Sequence, residues 1–220
     1  MTAVAVIPAF NAEKTIGEVV ERSLKFVDAA IVVDDGSWDS TAAVAEQAGA
    51  TVIRHGKNMG KARALKTGFK NLPECDVVVM LDADMQHLPE EIPRFLEALQ
   101  GDCDVCIGSR FLESPENMPP SCRLSNKVAS SLLSFLSRHR ITDPQSGFRA
   151  IKKEKLDLLE LKAERYSIEH ILILEAASKG MKIKEVPISC VYGEEKSNIR
   201  PFRDTVRVAH NILRFVLSRG

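Results

Sequence analysis

Neither sign of charge prevails in this chain of 220 residues: 30 Lys and Arg stand against 30 Asp and Glu. Without a basic excess there is no general field for a phosphodiester backbone, so nucleic acid is not expected as a partner and any basic surface must be local. Long apolar runs are also missing. A stretch such as Val128 to Ser137 is far shorter than the roughly 20 residues that span a bilayer. The first residues, Met1-Thr-Ala-Val-Ala-Val-Ile7, carry no basic flank and run straight into a strand pattern. No signal peptide is therefore expected, and the expected location is cytoplasmic. The five cysteines, at 75, 103, 106, 122 and 190, are odd in number and include no two C-x-x-C units. Cys103-Asp-Val-Cys106 has half of such a spacing but lies in an apolar run, which favours buried thiols in a reducing compartment over a zinc site. Internal repeats are not evident, and the length suits one large α/β domain.

What is present is an alternation of short apolar runs with longer helical patterns, the mark of βαβ units and a mostly parallel sheet. Strands are expected at Ala3–Ile7, Ala30–Val33, Ala50–Arg54, Val77–Leu81, Val105–Gly108 and Ile183–Ile188. Helices are expected between them, the first with Ile16, Val19, Val20, Leu24 and Val27 on its apolar face and Asn11 as its cap. Pro89–Leu99, a face of Leu124, Val128, Ala129, Leu132, Leu133 and Leu136, Lys153–Leu159 and Ile168–Lys179 read as further helices. The proline-rich Glu113–Pro120 reads as a lid-like loop.

The chemistry concentrates at strand ends. Val77-Val-Val-Met-Leu81 reads as a buried strand, and it ends in Asp82-Ala-Asp84-Met-Gln86-His87. At a period of two, both carboxylates point the same way from an extended segment. Such a pair stays ionised most easily around a cation. Carboxylate and amide oxygens suit Mg2+ or Mn2+, with phosphate oxygens completing the shell. Helix capping and turn formation are the plainer alternative for these aspartates. Asp34-Asp35-Gly36-Ser37 ends the second strand, as turn chemistry or as the other wall of one crevice, since ligands in open α/β sheets bind beyond the strands' carboxyl ends. Asp39 is a helix-cap candidate there. His55-Gly-Lys-Asn-Met-Gly-Lys-Ala-Arg63 places glycine and lysine at a helix start, as in an anion site or a solvated loop, but its order is not that of a P-loop. Arg110 ends the fifth strand. Asp143, ahead of Pro144, is a third candidate carboxylate in a loop facing the crevice.

Seven segments in order, spread over nearly the whole chain, resemble the inverting nucleotide-sugar glycosyltransferases of GT-A fold (glycosyltransferase family 2), in particular the dolichyl-phosphate mannose synthase and polyprenyl-phosphate glycosyltransferase branch. They are Ile7-Pro-Ala-Phe-Asn-Ala-Glu13, Val33-Asp-Asp-Gly-Ser37, Asn58-Met-Gly60, Asp82-Ala-Asp-Met-Gln-His87, Gly108-Ser-Arg110, Asp143-Pro-Gln-Ser-Gly-Phe-Arg149 and Val186-Pro-Ile188. The resemblance implies a Rossmann-like, mostly parallel central sheet with helices on both faces. It implies that Pro8, Phe10, Glu13 and Asp35 hold the nucleotide of a GDP- or UDP-sugar, with Phe10 against the base, and that Asp82, Asp84 and Gln86 bind Mg2+ or Mn2+. Charge on a departing nucleoside diphosphate needs neutralising, for which Asp84 with the metal, Arg110 and Lys196 are the candidates. Asp143 is the candidate general base for a hydroxyl acceptor, or orients the acceptor or an arginine where the acceptor is a phosphate.

Departures from the family pattern bear on specificity. Trp38 stands where threonine is usual, and Ser189-Cys-Val-Tyr192 lacks an arginine that the mannose synthases carry before their Tyr-Gly-Glu-Ser-Lys-like segment. The expected organisation is a single domain over 1–220. Residues 1–110 form the nucleotide-sugar half, 111–200 the acceptor half, and 201–220 a basic amphipathic helix that could rest on the inner face of the cell membrane. That helix suits a polyprenyl (dolichyl) phosphate acceptor, although its apolar stripe could equally pack on the domain. Two other readings are a sugar-phosphate nucleotidyltransferase, against which Pro8-Ala-Phe-Asn11 lacks the glycine-rich loop, and a lapsed transferase serving as a scaffold.

Overall fold

The structure is a computed structural model that describes residues 1–113, 120–161 and 168–190. The lid-like loop from 114 to 119, Lys196 and the C-terminal helix expected at 201–220 therefore lie outside the described residues. Seven strands form one sheet: β1 Ala3–Ala9, β2 Ala29–Asp34, β3 Thr51–Arg54, β4 Val77–Met80, β5 Val105–Ser109, β6 Arg149–Lys152 and β7 Ile183–Pro187, in the order β3-β2-β1-β4-β6-β5-β7. Only β6 runs against its neighbours β4 and β5. The sequence pattern had given no strand there, because Arg149 and Lys152 interrupt the apolar Ala150-Ile151 pair. The rest of the sheet follows the expected parallel plan.

Helices cover both faces. Ile16, Val19 and Val20 of α1 (Ile16–Ser23), Ala45 of α2 (Thr41–Gln47) and Ile92, Phe95 and Leu99 of α4 (Ile92–Gln100) pack one face. Ala62 and Leu65 of α3 (Lys61–Lys70), Leu133 of α5 (Pro120–Ser137) and the apolar residues of α7 (Ile168–Ser178) pack the other. A short helix, α6, spans Lys153–Leu156. Strand residues buried on both sides explain the near-continuous apolar runs of β1 and β4. Gly68 lets α3 press on β1, since a Cβ there would overlap the Val6 side chain. The thiols of Cys103 and Cys106 are buried and free, as the sequence suggested.

This topology fixes where a ligand can sit. From β1 the chain winds outward through β2 to β3, then returns to place β4 on the opposite side of β1. Loops leaving β1 and β4 therefore diverge and open a crevice beyond their carboxyl ends. Because β6 is reversed, the loop that enters it arrives at this same edge.

α7 is buried throughout from Ile168 to Ala176, which places His170 in the core. Neither of its ring nitrogens has a partner among the described residues, and burial pushes its pKa down to about 4 while the charges of Glu169 and Arg149 oppose one another. The unfolded chain takes up the same proton near pH 6.5. Between these values the unfolded state binds more protons, so this stability is fully present above about pH 6.5 and is lost as pH falls toward 4, by about 3 kcal/mol. His170→Leu is expected to flatten the acid limb of stability measured by urea unfolding between pH 7 and 4.5. Parallel curves for parent and variant would contradict a neutral, buried imidazole.

Candidate active site

β4 stops at Met80, so Asp82 and Asp84 stand on a turn rather than on one extended strand, with Met85 in the left-handed region at φ 61°. The turn treats the two carboxylates differently. Asp82 Oδ1 lies 2.6 Å from Lys61 Nζ, which also meets Glu169 Oε1 at 2.7 Å. Burial opposes the charge on Asp82, but Lys61 beside it holds its carboxyl below the usual range. Asp84 Oδ1 accepts the Gln86 backbone N–H at 3.1 Å. Although Asp84 is open to solvent, the crevice walls desolvate it, and this together with the charge of Asp82 pushes its carboxyl up. Of these two carboxylates, Asp84 is the one whose charge the protein compensates less.

Lys61 starts α3 directly after Gly60, whose φ of 91° turns the chain into the helix. The loop ahead of it is held by Asp35, which accepts from the His55 ring at 2.6 Å and from the N–H groups of Met59 and Gly60 at 2.9 and 2.6 Å. Asp34 is fully buried, accepts the Ser37 N–H at 2.9 Å and pairs with Arg54 at 3.0 Å. These two aspartates shape the wall beside β2. Asn11 does not cap α1. Thr15 stands at that position, and the Asn11 Oδ1 accepts the Trp38 N–H at 3.2 Å instead. Asp39 takes part in starting α2, accepting the Thr41 N–H at 3.0 Å, with Ser40 as the formal cap. Phe10 and Trp38 meet edge to face at 5.2 Å, and Glu13 accepts the Ser40 N–H at 3.0 Å. Pro8 is half-buried near the end of β1.

Across the crevice, Asp143 is fully buried and both its oxygens are engaged by Arg110: Nε to Oδ2 at 2.6 Å and Nη2 to Oδ1 at 2.9 Å, with the Arg110 N–H also on Oδ2. The segment carrying Asp143 is fixed in turn. Glu185 of β7 accepts the N–H groups of Thr142 and Asp143 at 2.8 and 3.0 Å, and Asn126 donates to the Thr142 carbonyl at 2.7 Å. Arg149, buried in the core, donates to the carbonyls of Pro144, Ser146 and Glu169. Gly147 is needed because a Cβ there would overlap the Asp82 carboxylate and crowd Lys61. His87 is buried against Phe148, which stacks on Phe95, and burial pushes the imidazole down to about 4.

The structure thus gathers Asp82, Asp84, Gln86, Arg110 and Asp143 around one crevice whose β1–β2 wall carries Phe10, Glu13 and Asp35. Lys61, Glu169, Glu185 and Arg149 are its unforeseen members. Lys61 had a signal in the basic segment that opens α3, and Arg149 in the segment Asp143–Arg149 that it closes. Among the described residues no three His, Cys, Asp or Glu side chains converge as a closed metal cage. An open pair of carboxylates still fits a hard cation that takes its remaining oxygens from a ligand, and the raised Asp84 carboxyl is the protein group such a charge would relieve.

Comparison with known proteins identifies the family and the fold. Residues 4–159 match the family model described as glycosyl transferase family 2. A UDP-N-acetylglucosamine–dolichyl-phosphate N-acetylglucosaminyltransferase of Methanococcus voltae is 32% identical over 214 residues, covering 86% of this chain and 85% of its own. A dolichyl-phosphate hexose transferase of Haloferax volcanii is 30% identical over 215 residues, covering 97% and 93%. Among solved structures, glucosyl-3-phosphoglycerate synthase of Mycobacterium tuberculosis with UDP superposes at a TM-score of 0.79 with 25% identity, covering 97% of this chain and 79% of that one. A complex of that synthase also contains Mn2+ and superposes at 0.77 with 24% identity. The fold is therefore the GT-A fold, and the chain belongs to glycosyl transferase family 2.

Proposed function

We propose that the enzyme moves a sugar, with inversion, from a GDP- or UDP-sugar to a polyprenyl (dolichyl) phosphate, with Mg2+ or Mn2+ as cofactor. The observation that carries the reading is the undercompensated Asp84 carboxylate in an open crevice at the switch between β1 and β4. Asp82, Asp84 and Gln86 would hold the cation, which supplies charge neutralisation for the departing nucleoside diphosphate. Pro8, Phe10, Glu13 and Asp35 hold the nucleotide, so residues 1–110 form the donor half. Arg110 and Lys196 are the candidate partners of the diphosphate.

An acceptor phosphate oxygen carries no proton that must be removed, so attack on the sugar needs no general base. Asp143, closed by Arg110, then serves to hold that guanidinium in place. Residues 111–200 line the acceptor side. There a cavity of about 310 Å³ is bordered by Phe111, Arg123, Asn126, Lys127, Ser130 and Thr142, where the two cations suit an anionic head. A specific feature favours a lipid-linked head over a soluble one. α5 turns Leu124, Val128 and Phe135 outward, 66%, 51% and 81% exposed, beside Arg123, Lys127 and Arg138, and residues 120–140 contain no acid. A surface of this kind suits anionic lipid. With the basic segment 201–220 it would hold the enzyme at the inner face of the cell membrane. No helix among the described residues is long and apolar enough to cross it.

The test is a panel of GDP- and UDP-sugars with a short-chain polyprenyl phosphate, with and without chelator. One donor is expected to give a chelator-sensitive glycolipid of inverted anomeric configuration. Transfer only to water-soluble acceptors would overturn the lipid reading, and no transfer from any donor would favour the scaffold alternative.

A further inference from the structure

We infer that Trp38 is a second aromatic wall of the nucleobase site and contributes to the choice of base, an inference that rests on the nucleotide-sugar reading above. Trp38 is the only tryptophan in the chain and is 81% exposed. Leaving an indole in water forgoes the burial that usually places this side chain. It does not stand alone, because its ring meets that of Phe10, 40% exposed, at an interplanar angle of 89°. Phe10 directly follows β1 and Trp38 lies four residues past β2, so this aromatic corner rises over the same sheet edge as Asp35 and the Asp82–Asp84 turn.

The corner is held by its backbone. Ser37 Oγ accepts the Asn11 N–H at 2.9 Å, Thr41 Oγ1 the Ala12 N–H at 2.7 Å and Asp39 the Glu13 N–H at 3.2 Å. In the other direction, Asn11 Oδ1 accepts from Trp38 and Glu13 Oε2 from Ser40. Five cross-links between two short loops therefore fix two exposed rings at right angles. A flat heteroaromatic ring laid on one of them meets the other at its edge, which is the geometry aromatic groups prefer. Such stacking accepts any base, while two walls at right angles favour the ring system that meets both. A nucleobase is the flat ring that a nucleoside diphosphate anchored near Asp84 would carry to this wall.

Being the sole tryptophan, Trp38 reports on its own occupancy. GDP and UDP, each with Mn2+, would be titrated into the full chain while tryptophan emission is followed, with Mn2+–pyrophosphate as the base-free probe and calorimetry for affinity. The cognate nucleotide is expected to shift the emission and pyrophosphate to leave it unmoved. Trp38→Thr is expected to weaken the cognate nucleotide about tenfold, the other nucleotide less, and pyrophosphate not at all. Because the indole lies outside the core, the thermal midpoint of Trp38→Thr should match the parent and certify its fold. Nucleotide binding by the parent with unmoved emission and equal affinity in Trp38→Thr would overturn the inference and leave the donor reading intact. Failure of the parent to bind either nucleotide would overturn the donor reading and the inference together. Emission that responds to anionic vesicles, with nucleotide affinity unchanged in Trp38→Thr, would make Trp38 a lipid contact and overturn the inference.

Discussion

Replacing Asp84 by Asn is expected to lower metal-dependent sugar transfer at least about a hundredfold while leaving the fold intact. The substitution is isosteric, and a carboxamide oxygen can still accept the Gln86 N–H that shapes the turn. What it removes is the negative charge that Asp82 and the crevice walls already strain. Asp82→Asn is the less direct probe, since it also takes a partner from Lys61 and leaves that ammonium to Glu169 alone. Calorimetric titration of Mn2+ into parent and Asp84→Asn separates lost metal binding from lost chemistry. Unchanged turnover in both asparagine variants at saturating Mn2+ would remove the metal site from the reading.

Much of this site was legible because its parts lie at strand ends, where sequence pattern is most informative. The apolar runs that end in Asp34 and Asp82 marked two carboxyl edges, and the sheet order sets their strands on either side of β1. Local pattern failed where long-range contacts decide. β6 is a strand because Ala150 and Ile151 fit between β4 and β5, while its flanking charges hide the period. Glu169 looks from sequence like a solvated helix residue, yet α7 brings it to Lys61 from more than a hundred residues away. The turn at Asp82–Asp84 was likewise beyond a period-two argument, since Gly147 and Lys61 press on it from distant segments. Asn11 looked like a helix cap because capping chemistry and loop-stapling chemistry use the same side chain.

On the proposed reading, the distribution of charge lets a neutral chain handle a highly charged donor. Lys61 and Arg110 each face a carboxylate, Asp82 and Asp143, and each pair is tied to a different part of the sheet edge. Rigid, already paired cations do not need to reorganise as charge develops on a departing diphosphate, which is where preorganised electrostatics is most effective. Their protein partners keep them in place when the crevice is empty.

The Arg110–Asp143 pair yields the second large effect. Asp143 is fully buried, so Arg110→Ala would leave a carboxylate without its countercharge and risk the fold, at a cost of about 3–5 kcal/mol. Arg110→Lys keeps the charge but not the two-pronged contact, and Asp143→Asn keeps the shape but not the charge. Each is expected to lower transfer by about ten- to a hundredfold, in line with changes to groups that orient a charged partner. Because both changes disturb one unit, the double variant should lose no more than the poorer single variant. The pH dependence of transfer adds a second discriminant. If Asp143 acts only by holding Arg110, Asp143→Asn should keep the parent's acidic limb at reduced height, since no proton passes through the carboxylate. Multiplying losses in the double variant, or an acidic limb that vanishes with Asp143→Asn, would instead make Asp143 a base in its own right and point to a hydroxyl acceptor.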